Sequence, residues 1–218
     1  MSRKNFDAEL IHLHEELKKM GDIVKAQISD SIKALVSQDM KLADEVVRKD
    51  DLVDDLEKEI EDKCIKLIAT RQPLAIDLRS VFTMSKIVTD LERIADHAVD
   101  IAKIAKQLEG QKYIKELIDI PRMSAIVEEM IDGCLETYME RDVDLAYAVC
   151  KKDDSVDAIY KQIFSELLVL MLGDPKVIQQ ATRFLFVAKF LERMADHTTN
   201  ICEWTIYLIT GKKVDLND

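Results

Sequence analysis

Apolar residues recur along this chain with the spacing of helices, and the segment near residue 98 shows the pattern most clearly. Leu91, Ile94, Ala98, Ile101 and Ala105 fall at i, i+3, i+7, i+10 and i+14, which is the apolar seam of a bundle helix. The alternation of apolar and polar residues that is typical of strands does not occur. The periodicity therefore predicts an all-α protein.

A second apolar seam predicts the core face of the preceding helix, and its members are Leu52, Leu56, Ile60 and Leu67. Glycine and proline fall between such segments, where they end helices. The intervals between them predict six helices, at about 6–37, 39–70, 75–109, 122–141, 142–172 and 175–210. The expected N-caps are Asp39 and Asp142, and the expected C-terminal glycines are Gly110 and Gly211.

Two parts of the sequence occur nearly twice. Residues 91–102 and 191–202 share seven identical positions at an offset of 100, and residues 38–54 resemble 141–157 at an offset of 103. Internal repetition of this kind predicts repeated supersecondary units. We therefore expect two tandem, pseudo-symmetric antiparallel three-helix bundles, formed by residues 1–110 and 111–218, with a linker at 110–121.

Acidic residues form a stripe along each duplicated helix. Glu92 and Asp96 are four residues apart, so both lie on one helix face, pointing away from the apolar seam and onto the outside of the bundle. The preceding helix of each half carries a second acidic stripe, and short loops make these helices neighbours. The first candidate site is Asp50, Asp54, Glu92, Asp96 and Asp100; the second is Asp153, Asp157, Glu192, Asp196 and Asn200.

The stripes allow two interpretations. Charged helix faces are ordinarily solvated surfaces, but these stripes recur in both halves, and we expect their acids to be unpaired by basic residues at i±4 within each stripe. Two carboxylates roughly 6 Å apart repel by about 3 kcal/mol at an effective dielectric near 20, so a bound cation would stabilise such a cluster. Oxygen ligands suit Mg²⁺, Ca²⁺, Mn²⁺ or iron. His97 and His197 lie off the stripe, so we expect them to contact a partner or to support the metal ligands rather than to bind metal themselves. Arg93 and Arg193 balance or orient the acids, or form ordinary surface ion pairs.

Composition excludes several classes of function. The net charge of −11 argues against nucleic acid as a partner and favours a cation or a basic protein surface. Four widely spaced cysteines predict reduced thiols in a cytoplasmic chain, and no apolar run approaches the roughly 20 residues of a membrane span. Glu-x-x-His, HExxH, glycine-rich phosphate loops and GxSxG do not occur at suitable places, so we expect no enzyme.

The motifs together resemble the PhoU family of phosphate-regulation proteins. They are Arg71-Gln72-Pro73, Asp77-Leu78-Arg79, Lys86-Ile87 followed by residues 90–98, and in the second half residues 152–157 and 192–196. The resemblance covers essentially the whole chain in order. It implies paired three-helix bundles, in agreement with the repeat.

The resemblance also implies a function. Members of the family are cytoplasmic negative regulators of the phosphate starvation response, acting with a phosphate ABC transporter, through its ATPase subunit, and with a phosphate-sensing histidine kinase. Some bind iron or zinc clusters through acidic motifs that correspond to the two candidate sites. Such a protein would be an adaptor that meets the membrane only through its partners, and we expect a homodimer.

The sequence departs from the family pattern at several positions. Ala95 and Ala195 replace a frequent glycine, Asn200 replaces an acid, and Tyr160 and Phe164 replace the acids that would continue the second stripe. The second site should therefore be the less charged one. A metal-dependent enzyme that uses the surface carboxylates, and a purely structural helical scaffold, remain the alternatives.

Overall fold

The chain folds into helices only, as the periodicity predicts. A computed structural model describes residues 3–71 and 73–216, and no strand occurs within these ranges. Gln72, part of the motif at residues 71–73, lies outside them. The helices are α1 (Arg3–Ser37), α2 (Met40–Arg71), α3 (Ala75–Gln107), α4 (Asp119–Glu140), α5 (Val143–Cys150), α6 (Asp153–Gly173) and α7 (Ile178–Thr210), with a 3₁₀ turn at Pro175–Val177 before α7.

The predicted seam of α3 is confirmed, because all five of its residues are fully buried. The seam of α2 is confirmed for Ile60 and Leu67, and Leu56 packs partly against the core. The prediction for Leu52 is wrong, since this side chain is 54% exposed and Val53 is buried instead. The buried residues of α2 repeat every seven positions through Val53, Ile60 and Leu67, and Leu52 lies about 100° away from that line.

Three of the four predicted helix ends, at Asp39, Asp142 and Gly211, are confirmed by their hydrogen bonds. The fourth is a correction, because α3 ends at Gln107 with Leu108 as its C-cap, and Gly110 lies two residues beyond that cap. The Asp39 carboxylate accepts from the backbone N–H groups of Lys41 and Leu42, at 3.0 and 3.1 Å, just before α2. Asp142 accepts from the N–H of Leu145 at 3.0 Å and caps α5. Gly211 ends α7 with φ of 73°, a left-handed conformation that glycine adopts without strain.

The fifth predicted helix is interrupted, which is a correction to the expected six. At the interruption, the N–H of Lys152 donates to the carbonyl of Val149 at 2.9 Å, three residues back. This tighter bond separates α5 from α6. As a consequence, Asp153 lies in the first turn of α6, whereas its counterpart Asp50 lies within the continuous α2.

The two halves pack on each other mainly through α3 and α7, and also through α1 and α4. The linker is tied to both halves: Tyr113 Oη donates to the carbonyl of Leu35 at 2.6 Å, and the N–H of Ile114 donates to Gln180 Oε1 at 2.7 Å. α4 begins at Asp119, three residues earlier than expected, because Pro121 is tolerated in the first turn of a helix.

Among the described helices, none has an apolar stretch suited to crossing a bilayer.

The cysteines agree with the expectation of reduced thiols. All four are free, and three of them, Cys64, Cys134 and Cys202, are buried, while Cys150 is half-buried. The core of each half therefore rests on aliphatic packing rather than on covalent cross-links.

Candidate functional site

The structure brings the two acidic stripes of the first half together between α2 and α3. Asp50 and Asp54 on α2 lie within electrostatic range of Asp96 on α3, and Asp54 also acts on Glu92. All the predicted residues of this site are half-buried, and the side chain of Glu92 is only 18% exposed. The expectation that the stripe lies on the outside of the bundle is thus only partly right. The carboxylates line the seam between two helices.

Burial and crowding shift the protonation of this first cluster. Burial, together with the negative charges of Asp96 and Glu57, raises the pKa of Glu92 to about 7. Burial also raises the pKa values of Asp50 and Asp96, and the neighbouring carboxylates act in the same direction. Desolvation disfavours the charged carboxylate, and so does a nearby like charge. The cluster therefore holds more negative charge than its surroundings stabilise.

The second half repeats this arrangement between α6 and α7. Burial raises the pKa of Asp153 to about 6, and the charges of Asp196 and Asp157 contribute to the shift. Glu192 acts on both Asp153 and Asp196. The fifth predicted residue is oriented differently, because Asn200 Nδ2 donates to Asp90 Oδ1 on α3 at 3.5 Å. Of the five predicted residues, Asp157, Glu192 and Asp196 are thus grouped around Asp153.

Basic residues do approach both clusters, so the expectation of acids without partners at i±4 is wrong. Lys58 lies 3.9 Å from Asp54, and Lys161 lies 3.0 Å from Asp157, both at i+4. Further ion pairs join Arg93 to Glu92 and Asp96, Lys103 to Asp100, and Lys189 to Glu192. Since most of these pairs are solvent-exposed on the basic side, each contributes little. They reduce the repulsion within the clusters, while the pKa values of Glu92, Asp96 and Asp153 remain raised.

The histidines lie between the two clusters, at the α3–α7 contact. His197 Nδ1 is 2.9 Å from Asp90 Oδ1, and the ring of His97 stacks on Phe190 with centroids 5.2 Å apart. Burial lowers the pKa of His97 to about 4, and the nearby ring of His197 adds to the effect. Asp90 is a half-buried acid that the sequence argument missed. The repeat does not point to Asp90, because its counterpart in the second half is Phe190. Only the position of Asp90 on α3, close to the acidic stripe, could have indicated a role.

Glu57 is a second residue that belongs with the first cluster. It is half-buried, and burial raises its pKa, with Glu61 and Asp54 acting in the same direction. Its charge in turn raises the pKa of Glu92. Its position on the flank of α2 was visible in the sequence, but its proximity to α3 depends on how the two helices pack.

The donor chemistry of both clusters fits a hard cation. The grouped side chains supply carboxylate oxygens, and Asp153 Oδ1 is buried without a hydrogen-bond partner. Within residues 3–71 and 73–216, however, no three His, Cys, Asp or Glu side chains converge closely enough to hold one ion. Ligation would therefore need these half-buried side chains to rotate to other staggered rotamers.

The raised pKa values predict a pH dependence for the metal-free protein. Glu92 and Asp153 keep their protons to about pH 7 and pH 6 in the folded chain, above the ordinary range of carboxyl groups. The folded state then binds more protons than the unfolded state, so the free energy of unfolding falls as pH rises from about 4 to 7. We expect a loss on the order of 3 kcal/mol for both groups together, allowing for solvent screening. Urea unfolding in the presence of a chelator measures it.

The control for this experiment is a charge change outside the clusters. Glu92→Gln with Asp153→Asn should flatten the slope between pH 4 and 7, whereas Asp55→Asn, at an exposed position of α2, should leave it unchanged. An equal slope in wild type and in the double variant would contradict the assignment of the two carboxyl groups.

Comparison with known proteins gives this arrangement a context. The model of the PhoU domain matches residues 17–105 and matches again at residues 120–205. This chain belongs to the PhoU family. The two matched segments coincide with the two helical halves and contain both carboxylate clusters, so the family resemblance of the motifs is confirmed.

Relatives of the family extend over the whole chain. A "phosphate-specific transport system accessory protein PhoU homolog" of Clostridium acetobutylicum is 54% identical over 219 residues, covering 100% of both chains. A homolog of the same description from Aquifex aeolicus is 41% identical, covering 94% of this chain and 93% of its own.

Solved structures confirm the fold class. The crystal structure of PhoU from Pseudomonas aeruginosa superposes with a TM-score of 0.90 at 36% identity, covering 95% of this chain and 100% of the other. A phosphate transport system regulatory protein PhoU from Streptococcus pneumoniae also gives a TM-score of 0.90, at 31% identity, covering 96% of this chain and 99% of the other.

Proposed function

We propose that this PhoU-family chain is a cytoplasmic negative regulator of phosphate uptake, without enzymatic activity of its own. The full-length likeness to proteins described as accessory to the phosphate-specific transport system supports a regulatory role in that system. The net charge of −11 is consistent with protein or cation partners and not with nucleic acid.

The proposed mechanism is that of an adaptor. At high phosphate, the protein contacts the ATPase subunit of the phosphate ABC transporter and the phosphate-sensing histidine kinase, and holds the kinase in its non-activating state. The observation that supports this mechanism is the pair of matching carboxylate clusters, one in each half of the chain. The contact between α3 and α7 fixes the two halves, and so the two clusters, relative to each other. A packed helix pair keeps the two acidic surfaces at a constant separation, which suits a bridge between two partners.

Metal binding is part of the proposal. In the first half Asp50, Asp54, Glu92, Asp96 and Asp100 would hold the ion or ions, and in the second half Asp153, Asp157, Glu192 and Asp196, with Asn200. A bound divalent or trivalent cation, iron or zinc by family likeness, would neutralise the repelling carboxylates. The first half carries the fuller set of acids, because Asn200 stands where the first half has Asp100. In the second half, Asn200 also donates to Asp90, and Lys189 Nζ lies 2.5 Å from a carboxylate oxygen of Glu192. We therefore propose higher occupancy at the first site.

Capture from membranes tests the adaptor. The tagged protein, incubated with membranes of cells grown at high phosphate, should retain the transporter ATPase subunit and the kinase. Asp50→Asn with Asp54→Asn should lower the captured amount by about tenfold, because these side chains belong to the first cluster. The matched variant Asp55→Asn with Asp62→Asn removes the same charge from exposed positions of the same helix, and should capture as much as wild type.

Two outcomes would count against the proposal. If neither protein is retained by wild type, the adaptor role is wrong. If both double variants lose binding equally, the partner senses overall charge and the clusters are not the docking surface. Turnover that depends on metal and disappears in Glu92→Ala with Asp96→Ala would instead favour a metal-dependent enzyme.

A further inference from the structure

Aromatic rings meet at one end of the contact between α3 and α7. The rings of Phe82 on α3 and Trp204 on α7 pack edge-on with centroids 5.8 Å apart, and Tyr207 packs edge-on against Trp204 at 6.2 Å. Phe82 is 44% exposed, and Leu78 and Leu74, one and two turns before it on the same side of α3, are 43% and 61% exposed. These five side chains form one apolar surface, and much of it is open to solvent in the described chain.

Four basic side chains surround this apolar surface, and they are Arg79, Lys86, Lys212 and Lys213. Lys86 Nζ lies 5.7 Å from the centroid of the Phe82 ring and 6.0 Å from that of Trp204, and Lys213 Nζ lies 5.4 Å from the Trp204 centroid, which are distances of cation–π contacts. The guanidinium of Arg79 lies against Gly211 at the end of α7. The apolar surface and these cations together form the α3–α7 patch.

Nothing in the described chain pairs with the positive charge of this patch. Among residues 3–71 and 73–216, none of the four cations forms an ion pair or a side-chain hydrogen bond. Two acids that border the patch are engaged elsewhere. Asp90 lies 2.9 Å from His197 Nδ1, and Glu203 accepts from the backbone N–H of Leu216 at 2.6 Å. On a chain with a net charge of −11, the patch is therefore a basic exception that complements an anionic partner.

The composition of the patch is that of a surface which meets lipid headgroups. Tryptophan and tyrosine favour the boundary between headgroups and acyl chains, and leucine and phenylalanine insert beside them. Each lysine or arginine near an anionic bilayer strengthens binding about fivefold. We infer that the α3–α7 patch binds the surface of a membrane that contains anionic phospholipid. This contact is direct, whereas the family resemblance implies a membrane contact through partners only, and it does not rest on the proposed regulatory function.

The basic residues favour a bilayer over an acidic segment of a protein. Three of the four are lysines, and a lysine ammonium is a flexible point charge that follows mobile headgroups without a fixed geometry. Interfaces between proteins are instead enriched in arginine and depleted in lysine.

Docking by this end of the molecule keeps the carboxylate clusters away from the membrane. Glu92 follows Phe82 by ten residues on α3, which is about 15 Å along the helix axis. Asp196 precedes Trp204 by eight residues on α7, which is about 12 Å. Surface charges are screened beyond about 8 Å at physiological ionic strength. The headgroups therefore attract the patch and hardly repel the clusters, although the chain as a whole is negative.

Trp204 reports on the patch directly, because it is the only tryptophan of the chain. Vesicles of equal parts phosphatidylglycerol and phosphatidylcholine, added with a chelator, should shift its emission to shorter wavelength, and lipids brominated near the headgroup end of the acyl chains should quench it. The chelator removes cations that would bridge the carboxylate clusters to headgroups. Vesicles of phosphatidylcholine alone, or millimolar inorganic phosphate, should have no effect.

Charge reversal on the patch tests the role of the lysines. Lys86→Glu with Lys213→Glu should weaken binding to the phosphatidylglycerol vesicles by at least about tenfold in a flotation assay. Lys41→Glu with Lys151→Glu makes the same change of net charge at exposed positions outside the patch, and should bind nearly as well as wild type. Circular dichroism checks that both double variants keep their helices.

Vesicle binding that only the patch variant loses supports the inference. An unchanged Trp204 emission with all vesicles would overturn it and leave the patch to an acidic segment of a protein. Equal losses in both double variants would also overturn it, since binding would then follow net charge alone, and a shift with inorganic phosphate alone would indicate a small-anion site instead. Because the vesicles contain neither transporter nor kinase, the result is independent of the adaptor proposal.

Discussion

Neutralising the first cluster with Glu92→Gln and Asp96→Asn should make the metal-free protein more stable and the metal-loaded protein less stable. In the absence of metal, burial and mutual repulsion oppose ionisation of these groups, as the raised pKa of Glu92 shows. Uncharged amides avoid that cost. We expect the free energy of unfolding at pH 8 to rise by about 2 kcal/mol, after allowance for solvent screening.

The metal-loaded state should respond in the opposite direction. Removing two of the carboxylates would weaken cation binding by at least about 100-fold, so stabilisation by added Mn²⁺, Fe²⁺ or Zn²⁺ should largely disappear. Urea unfolding with and without metal, together with calorimetric titration, measures both effects. Asp55→Asn is the control, because it removes a charge from an exposed position of α2. A double variant that is less stable without metal would show that the carboxylates stabilise the fold through ion pairs.

Phe184→Ala should destabilise the protein by about 4 kcal/mol. The ring of Phe184 is fully buried, and Tyr113 of the linker packs against it edge-on with centroids 5.2 Å apart. Truncation leaves a cavity that the surrounding helices cannot fill, in addition to losing the burial of the ring. The loss should also loosen the linker, because the hydroxyl of Tyr113 donates to the carbonyl of Leu35 in the first half.

Phe186→Ala is the matched control for Phe184→Ala. It removes the same side chain two residues further along α7, where the ring is half-exposed, and should cost less than about 1 kcal/mol. Thermal and urea unfolding give the comparison. Similar losses in the two variants would mean that Phe184 is not the packing anchor of the second half.

Much of the candidate site could be predicted because helical spacing is regular. The i, i+4 placement of Glu92 and Asp96 puts both on one face whatever the rest of the chain does, and the repeat extended this to Glu192 and Asp196. The partners that Asp90 finds could not be predicted. Its contacts with His197 and Asn200 join residues about 100 positions apart, and no local pattern encodes the distance between α3 and α7.

The same division applies to burial. The apolar seam predicted for α2 is right for Ile60 and Leu67, but Leu52, which the seam includes because it lies four residues before Leu56, is exposed. Which apolar residue faces inward depends on the rotation of the helix against its neighbours. That rotation is set by all the contacts of the bundle together.

The sequence by itself determined the all-α class, the two tandem bundles, the caps at Asp39 and Asp142, and the faces on which the acids lie, because these follow from periodicity and from interactions within a few residues. The tertiary structure decided that the acids lie half-buried between helices, where burial raises the pKa values of Glu92 and Asp153. It also decided that the aromatic rings of Phe82 and Trp204 meet between α3 and α7. Both depend on the distance and rotation between separate helices, which are fixed only when the whole core packs.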